Sequence, residues 1–369
     1  NVEPPGRGEG PRVVLARAPA NSREGMGAYF LTLNRGKESV CLDLKSEAGR
    51  AVFYDLVRQA DVVFDNFGAG VTQRLQIDHA TLSRINPRIV TCSVTGFGET
   101  GPDINRPAFD QVVQAMGGGM SITGMADGPP TRAGIPIGDL GGGLFGAIGV
   151  LAALAAREST GQGQHVDVSM LDAQVSMLNY MATMHLMSGQ MPQRIGNGHF
   201  VHVPYNTYAT RDGFIIVACI GDAFYERLLE VVDHPELRKP AYRQQPARLA
   251  AKTRIDAVLN GLFIQQDAAH WLERLRAARV PCGPVNDFAQ ALADPQVLAR
   301  NMVVDVPLAG GGSVRMPGNP VKLSGMTAQD ETSFSPPPPL GWDTESVLQE
   351  LLAYPPERIA QLRASGAVA

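Results

Sequence analysis

The 369-residue sequence lacks most of the short motifs by which enzymes activate a nucleophile or hold a metal. It contains no Gly-x-Ser-x-Gly elbow, no Gly-Lys-Ser/Thr phosphate loop and no His-x-x-x-His or His-Glu-x-x-His spacing among its seven histidines. Its four cysteines are far apart and form no Cys-x-x-Cys pair. We therefore expect no bound metal, and free thiols in a reducing cytoplasm.

The sequence also lacks an excess of either charge. It has 32 Lys and Arg against 36 Asp and Glu, a net charge of −4, which gives no reason to expect a nucleic-acid partner. We find no signal peptide and no apolar run that looks long enough to span a bilayer, so we expect no membrane partner. A chain of 39.4 kDa is long enough for two domains.

Residues 40–95 alternate between short apolar strands and helices, which is typical of a parallel α/β sheet. The predicted elements are a strand at 40–44, a helix at 46–60, a strand at 62–64, a helix ending at 75, a helix at 82–85 and a strand at 89–94. Residues 1–28 have no apolar period and are predicted to be an irregular loop. Because the chain opens inside what looks like a strand, we expect the first β-α-β segment of the fold to lie outside this sequence.

The second half of the chain predicts a change of domain near residue 200. A helix at 110–116, a long helix ending at 158 and a strand at 165–169 complete the first domain, residues 1–200. Strands at 205–210 and 214–218 and helices at 224–232 and 270–278 predict a small α+β domain over 201–292. Residues 293–369 are predicted to return to the large domain through a linker and C-terminal helices at 344–352 and 356–365.

The rest of the chain is organised around Asp139, which lies in the run Pro-Ile-Gly-Asp-Leu-Gly-Gly-Gly-Leu-Phe-Gly at 136–146. Two functions suit an Asp at the start of a long helix. It can cap the helix by accepting a backbone N–H. Alternatively it can act as a nucleophile, because the glycines let a substrate approach the backbone closely.

A lone carboxylate suits only certain chemistry. With a reference pKa of about 3.9 it is ionised at neutral pH without a general base. It is too weak to attack an amide, but a thioester carbonyl is more electrophilic and releases a thiolate. Attack on an acyl-CoA would give an acyl-aspartyl anhydride, then an aspartyl thioester, from which a second acid collects the CoA. Both intermediates hydrolyse readily, so this chemistry requires that water be excluded.

Other patterns have simpler interpretations. Gly141, Gly143 and Gly146 formally match a dinucleotide fingerprint, but Pro136 interrupts the strand that should precede it. Asp110 and Asp172 are predicted to lie in or cap the first turns of helices. The methionines that recur along one helix indicate core or dimer interface more than a ligand site, and His199 and His202 are predicted to be polar loop residues; the methionines are Met170, Met177, Met181, Met184 and Met187.

Taken together and in order, a set of short segments resembles the class III CoA-transferase family, which includes formyl-CoA and carnitine CoA-transferases and the 2-methylacyl-CoA racemases. The matching segments are 34–40, 42–45, 61–67, 89–98, 100–102, 114–116, 123–124, 137–139 and 160–164. The resemblance implies that Asp139 is the nucleophile and that CoA is a substrate, with no tightly bound cofactor. It also implies a Rossmann-like large domain and an interlocked dimer of ring-like protomers.

The resemblance also implies CoA contacts along the large domain. The positions that match the family are Leu42, Lys45, Asn66, Phe67, Gly68, Arg74 and Phe109. Lys45 and Arg74 carry charges suited to phosphates, and residues 66–68 offer backbone donors ahead of a helix. The alternative for each residue is ordinary solvated surface.

The sequence gives fewer signals for substrate specificity than for the reaction. Residues 199–213 look most like the succinyl-CoA:glutarate type of member, which predicts dicarboxylate substrates. A free carboxylate would need a cation, and the candidates are Arg35, Arg106, Arg132 and Arg194. Racemases of the family pair the Asp with a His where this chain has Phe109, which favours transfer. The remaining alternatives are a racemase or isomerase, and a CoA-binding protein whose Asp139 only caps a helix.

Overall fold

The structure is a computed structural model that describes residues 1–369. Its chain separates into two compact units, each described by itself below. The first unit comprises residues 1–107, 142–169 and 289–369, and the second comprises 108–141 and 170–288. The twelve strands, β1 to β12 in chain order, are Val2–Glu3, Ser22–Arg23, Met26–Gly27, Val40–Cys41, Val62–Asp65, Val90–Thr95, His165–Ser169, Tyr205–Ala209, Phe214–Ala218, Cys282–Pro284, Val303–Pro307 and Ser313–Pro317.

Helices occupy most of the remaining ordered chain. Those before residue 200 are Gly10–Val13, Ala28–Asn34, Glu47–Gln59, Val71–Leu75, His79–Ile85, Asp110–Met116, Gly119–Ile122, Ile137–Thr160, Met170–Met177 and Tyr180–Ser188. Those after it are Asp222–Val231, Gln245–Ala250, Lys252–Phe263, Ala268–Ala277, Phe288–Ala293, Pro295–Ala299, Ala328–Thr332, Thr344–Ser346 with a π-helical turn at Val347–Leu351, and Pro356–Ala364. Short 3₁₀ turns occur at Pro19–Asn21 and Pro240–Arg243.

The first unit contains the parallel sheet that the strand–helix alternation predicts. Strands β5, β6 and β7 pair in that order and in parallel, and Asp65, Ser93 and Asp167 lie level with one another across the sheet. The preceding helix Glu47–Gln59 begins as its sequence suggests, because the Ser46 side chain accepts the Gly49 N–H. A mixed α/β fold with a parallel sheet is thus confirmed.

The helix Ile137–Thr160, called the long helix below, uses glycine to approach the sheet. A Cβ at Gly146 would lie 3.1 Å from the Phe64 ring, and one at Gly149 would lie 2.5 Å from Val166. All three glycines of the formal dinucleotide fingerprint lie inside this helix and none lies in a strand-to-helix turn. The fingerprint is therefore a packing pattern and not a nucleotide-binding loop.

The long helix also corrects the expectation that no apolar run is long enough to span a bilayer. Its 24 residues have a mean hydropathy of 1.7 over the most apolar window, which meets the length and composition of a membrane span. Such a single helix is weak evidence for a span, because core helices pass the same test, and here one face packs on the sheet through Gly146 and Gly149.

The prediction that residues 1–28 are an irregular loop was wrong in part, since they contain strands β1 to β3 and a short helix. Strand β1 pairs in parallel with β4. Behind β1, the buried Arg12 guanidinium donates two hydrogen bonds to the buried Glu3 carboxylate, and the Ser39 hydroxyl donates a third. These long-range partners order a segment that has no apolar period of its own.

The second unit contains an antiparallel sheet with the strand order β10-β9-β8. Helices pack against this sheet around a core that includes Tyr208, Phe263 and Trp271. Strands β8 and β9 follow the prediction, whereas β10 was missed because Cys282–Pro284 has only three residues. The contact-defined units group residues 108–141 and 170–200 with the small predicted domain. The functional boundaries at 200 and 292 stay a prediction.

Candidate active site

Asp139 lies in the first turn of the long helix, within the second unit. The exposed N–H groups of that turn are taken by another acid. Asp110, the first residue of its own helix, accepts the Gly138 N–H at 2.8 Å and the Asp139 N–H at 3.4 Å through the same oxygen, Oδ1. Asp110 therefore caps the helix that carries Asp139.

Two buried glutamines support this helix end. Gln114 donates to Asp110 Oδ2 at 2.8 Å and accepts the Ala133 N–H at 2.9 Å, while Gln174 donates to the Ile137 carbonyl at 3.1 Å. A Cβ at Gly138 would lie 2.6 Å from Val113 and 3.0 Å from Asp110 Oδ1, so only glycine permits this approach. Helix Asp110–Met116 thus fixes both the start of the long helix and the loop before it.

The Asp139 carboxylate itself accepts no hydrogen bond in the chain and forms no ion pair. Partial desolvation of the carboxylate, and secondarily the negative charge of Asp110, raise the pKa of Asp139 above its usual range. The capping interpretation of Asp139 is thus not supported by its contacts. Asp139 is nevertheless exposed in the single chain, so this chain alone does not provide the expected exclusion of water.

The residues predicted to contact CoA have different surroundings. Lys45, Phe67, Gly68 and Arg74 are exposed, and neither cation forms an ion pair. Leu42 is buried in the core of the first unit, so a ligand could reach only its backbone. In Asn66 the side-chain amide donates to the Val94 carbonyl, which fixes the turn after β5. Phe109, in the second unit, is 80% exposed.

A second polar cluster lies on one face of the parallel sheet in the first unit, and we call it the sheet cluster. The Thr91 hydroxyl lies between His79 Nδ1 at 3.0 Å and His165 Nδ1 at 2.8 Å, and His165 Nε2 contacts Glu99 Oε2 at 3.1 Å. Ser93 donates to Asp65 at 2.9 Å. These residues line a cavity of about 250 Å³.

Sequence reasoning singled out Asp139, whose role stays a prediction, but missed the residues that position it. Asp110 and Gln114 are four residues apart, a spacing that places two side chains on one helix face, so their bond could have been expected. The contact from Asp110 to residue 138 joins positions 28 apart and had no local signal. The sheet cluster was also missed, because Thr91 and His165 belong to strands distant in sequence.

The fold is mixed α/β with a parallel sheet, and the candidate site presents an unpartnered carboxylate in the first turn of a glycine-rich helix. The family model described as CoA-transferase family III matches residues 1–344. The chain belongs to this family and is a family III CoA-transferase.

Curated relatives agree with this assignment. The chain is 41% identical to an acetyl-CoA:oxalate CoA-transferase of Acetobacter aceti, over 91% of this chain and 84% of that protein. It is 35% identical to a succinate–glutarate CoA-transferase of Agrobacterium fabrum, over 88% and 80%. It is 30% identical to the human succinyl-CoA:glutarate CoA-transferase, over 92% and 77%.

Among solved structures, the chain is similar to a CaiB/BaiF family protein from Brucella suis, with a TM-score of 0.81 and 34% identity over 95% of this chain and 90% of that one. A hypothetical protein from Mycobacterium tuberculosis has a TM-score of 0.79 at 26% identity, over 93% and 89%. The resemblance read from the short sequence segments is thus confirmed at the level of the family.

Proposed function

We propose that the chain moves CoA between two carboxylic acids through covalent intermediates on Asp139. The Asp139 carboxylate attacks the thioester carbonyl, the C–S bond breaks, and CoA thiolate leaves with its electron pair. The thiolate then attacks the aspartyl carbonyl of the mixed anhydride and expels the first acid. The acceptor carboxylate repeats both steps in reverse, which regenerates Asp139 and gives the new acyl-CoA.

This proposal rests on the difference in hydrogen bonding between Asp110 and Asp139. Because Asp110 accepts the N–H groups of the first turn, the Asp139 carboxylate keeps its lone pairs for a substrate. The helix N-terminus stabilises the negative charge that returns to Asp139 when each intermediate breaks down. A raised pKa makes the ionised carboxylate more basic and hence a better nucleophile.

CoA is proposed to lie along the first unit. The exposed and unpaired Lys45 and Arg74 support this placement, since each can face a phosphate. The backbone N–H groups of Asn66 and Gly68 add further donors, whereas the Phe67 N–H is taken by the Asp65 carboxylate. Phe109 offers an exposed ring for the acyl or pantetheine part. Leu42 would contribute through its backbone.

We further propose that the substrates are dicarboxylates and that Arg132 binds their second carboxylate. Of the candidate cations, Arg106 is already paired with Asp103, and Arg35 donates to the Pro317 carbonyl while its guanidinium lies over an aromatic ring. Arg132 is exposed and has no acidic partner; its Nη1 donates to the carbonyls of Ala133 and Gly134, and its other guanidinium donors are not engaged. Gln114 joins the backbone beside Arg132 to Asp110, and Asp110 caps the helix of Asp139.

The remaining parts of the proposal are a homodimer, interlocked as the family resemblance implies, and a cytoplasmic location. Leu144, Ile148 and Leu151 form an exposed apolar stripe on the long helix, with side chains 60–66% exposed. A second copy that covers such a stripe would remove this apolar area from water. Replacing Ile148 by Glu should then convert a dimer to a monomer in light scattering, whereas the exposed Val321→Glu should not.

The decisive test of the reaction is to trap the intermediate. Hydroxylamine added with succinyl-CoA should leave a hydroxamate on Asp139, detected by peptide mass spectrometry. The Asp139→Asn variant should show no hydroxamate while CoA still binds. A hydroxamate at another residue, or transfer at the normal rate by Asp139→Asn, would contradict the mechanism.

Substrate choice is tested separately from the mechanism. In a donor and acceptor screen, Arg132→Gln should raise the KM for succinate and glutarate by about tenfold, the equivalent of one charge-assisted hydrogen bond, and leave monocarboxylates unchanged. Arg211→Gln, which removes an exposed arginine paired with Asp267 in the same unit, is the control. Faster transfer with monocarboxylates than with succinate, glutarate, malate and itaconate would contradict the dicarboxylate assignment. Alpha-proton exchange in deuterated water without an acceptor would instead indicate a racemase.

A further inference from the structure

A cavity of about 520 Å³ lies within the second unit, and the proposed reaction does not use it. Its walls come from helices Gly119–Ile122 and Tyr180–Ser188, from residues 190–200 and from the start of helix Lys252–Phe263. Small-molecule sites in proteins typically enclose about 300–1,000 Å³. The cavity therefore has the size of a ligand site.

Most of the cavity wall is apolar and adaptable. Ile122, Met181, Met184, Met191 and Phe200 contribute side chains to it. Methionine is unbranched and has a polarizable sulfur, so several methionines together can fit a flexible apolar chain in more than one shape. This use of Met181 and Met184 was not expected from the methionine pattern, which indicated core or an interface.

The same wall also carries one positive group without an acidic partner. Lys252 lines the cavity, donates to the His199 carbonyl at 3.3 Å and forms no ion pair. An ammonium has three donors, so Lys252 retains donors for a ligand. His199 also lines the cavity, and its ring lies 4.7 Å from that of His202. No Asp or Glu lines the cavity.

Two residues adjacent in sequence or in ring contact with the cavity wall have buried nitrogens without a partner. His202 Nδ1 and Arg194 Nε are buried and have no hydrogen-bond partner. Arg194 stands between Gln193 and Ile195, both of which line the cavity. Buried polar atoms in folded proteins nearly always have a partner, so these two nitrogens lack a partner that a bound molecule could supply.

We propose that this cavity binds an apolar-chain monocarboxylate, with its carboxylate on Lys252 and its chain among the methionines. The binding is non-covalent and goes beyond the proposed transfer at Asp139. A carboxylate complements a cation that lacks an acid, and an alkyl chain complements the apolar wall. A second copy of the chain, the other possible occupant, would leave Lys252 without a counter-charge unless it also supplied an acid.

The test uses the full chain and decanoate labelled with ¹³C at the carboxyl group. We expect saturable binding of one decanoate per chain by calorimetry, with a shifted carboxyl resonance. Lys252→Met should weaken binding by at least about tenfold, because a charge-assisted hydrogen bond is lost. Lys239→Met is the matched control, since Lys239 pairs with Glu236 in the same unit and does not line the cavity. 1-Decanol should bind more weakly than decanoate and respond little to Lys252→Met.

A second variant tests the cavity without removing the charge of Lys252. Met181→Trp should fill the cavity and abolish decanoate binding without lowering the melting temperature by more than a few degrees. Asp139→Asn should bind decanoate normally even though transfer is lost, which separates this inference from the proposed function. Absence of saturable binding, or equal affinity in the normal chain and Lys252→Met, would overturn the proposal; a cavity closed by a second copy would give the first of these results.

Discussion

At the start of the long helix, the Asp110 carboxylate accepts three hydrogen bonds and that of Asp139 accepts none. In the sheet cluster, by contrast, the Asp65 carboxylate accepts the Phe67 N–H and the Ser93 hydroxyl. Burial is the leading cause of a raised pKa in both Asp65 and Asp139. The direction of the pKa shift therefore does not distinguish the two acids, whereas their hydrogen bonds do.

This difference separates acids that maintain the fold from an acid that is free to react. A carboxylate that accepts backbone and hydroxyl donors has its lone pairs engaged and stabilises the native state. A carboxylate held in place by its neighbours, without bonds of its own, contributes little to stability. We therefore expect opposite effects of substitution in the two regions, on transfer in one and on folding in the other.

The largest expected effect is on transfer by Asp139→Asn. Removing the nucleophile should lower kcat by a factor of about 10³ or more, while the free energy of unfolding changes by less than about 0.5 kcal/mol because no hydrogen bond is lost. Steady-state kinetics and urea unfolding measure the two quantities. Asp127→Asn, another exposed acid of the second unit without a bonded partner, should leave both unchanged. A stability loss as large as that of a helix cap would show that Asp139 is structural.

In the sheet cluster, we expect Thr91→Val to lower stability and to leave transfer nearly unchanged. The variant leaves both His79 Nδ1 and His165 Nδ1 without their partner, and an unsatisfied buried group costs about 1–3 kcal/mol. Thr91→Ser keeps the hydroxyl and should recover most of the loss. Urea unfolding measures the cost, and kcat should stay within about twofold. A large fall in kcat at normal stability would mean that the sheet cluster takes part in the reaction.

A double substitution tests whether the hydrogen bond between Asp110 and Gln114 stabilises the start of the helix that carries Asp139. In Asp110→Asn the new amide faces the Gln114 amide, donor against donor, and we expect a loss of about 1–2 kcal/mol. Adding Gln114→Glu supplies an acceptor for the amide introduced at position 110, and the new carboxylate still accepts the Ala133 N–H. The double variant should therefore recover at least half of the loss in a double-mutant cycle of unfolding free energies. Simple additivity would show that the Asp110–Gln114 bond contributes nothing.

The single substitution Asp110→Asn also predicts a pH effect. In the proposed mechanism Asp139 reacts in its ionised form, so kcat/KM should fall as the pH drops through its raised pKa. Because Asp110 contributes to raising that pKa, Asp110→Asn should move the acidic limb of the profile to lower pH. An acidic limb at the same pH in both proteins would show that the limb does not reflect the ionisation of Asp139.

The smallest effect is expected from His79→Gln. Burial, and then the charge on His165, lower the pKa of His79. The unfolded chain therefore takes up this proton first, at about pH 6.5, and stability is lost as the pH falls below that value. Unfolding free energies at pH 7 and pH 5 should differ less in His79→Gln than in the normal chain. An equal difference in both would assign the acid sensitivity to another group.

The sequence was informative where a feature depends on neighbours along the chain. The helix after residue 46, the helix Asp110–Met116 and the strands of the parallel sheet all follow from local patterns. What it did not reveal depends on distant contacts, such as Glu3 with Arg12 and Ser39, or Asp110 with Gly138. Leu42 shows the same limit, because a position matched to a ligand contact has its side chain in the core.

The single hydrogen of the Thr91 hydroxyl fixes a direction in the sheet cluster. With Nε2 of a neutral His165 donating to Glu99, Nδ1 of that ring carries a lone pair and must receive the Thr91 proton. Thr91 then accepts from His79, which must be the Nδ1–H tautomer. When His165 is neutral, the four side chains therefore form one directed chain of hydrogen bonds that starts at His79 and ends on Glu99.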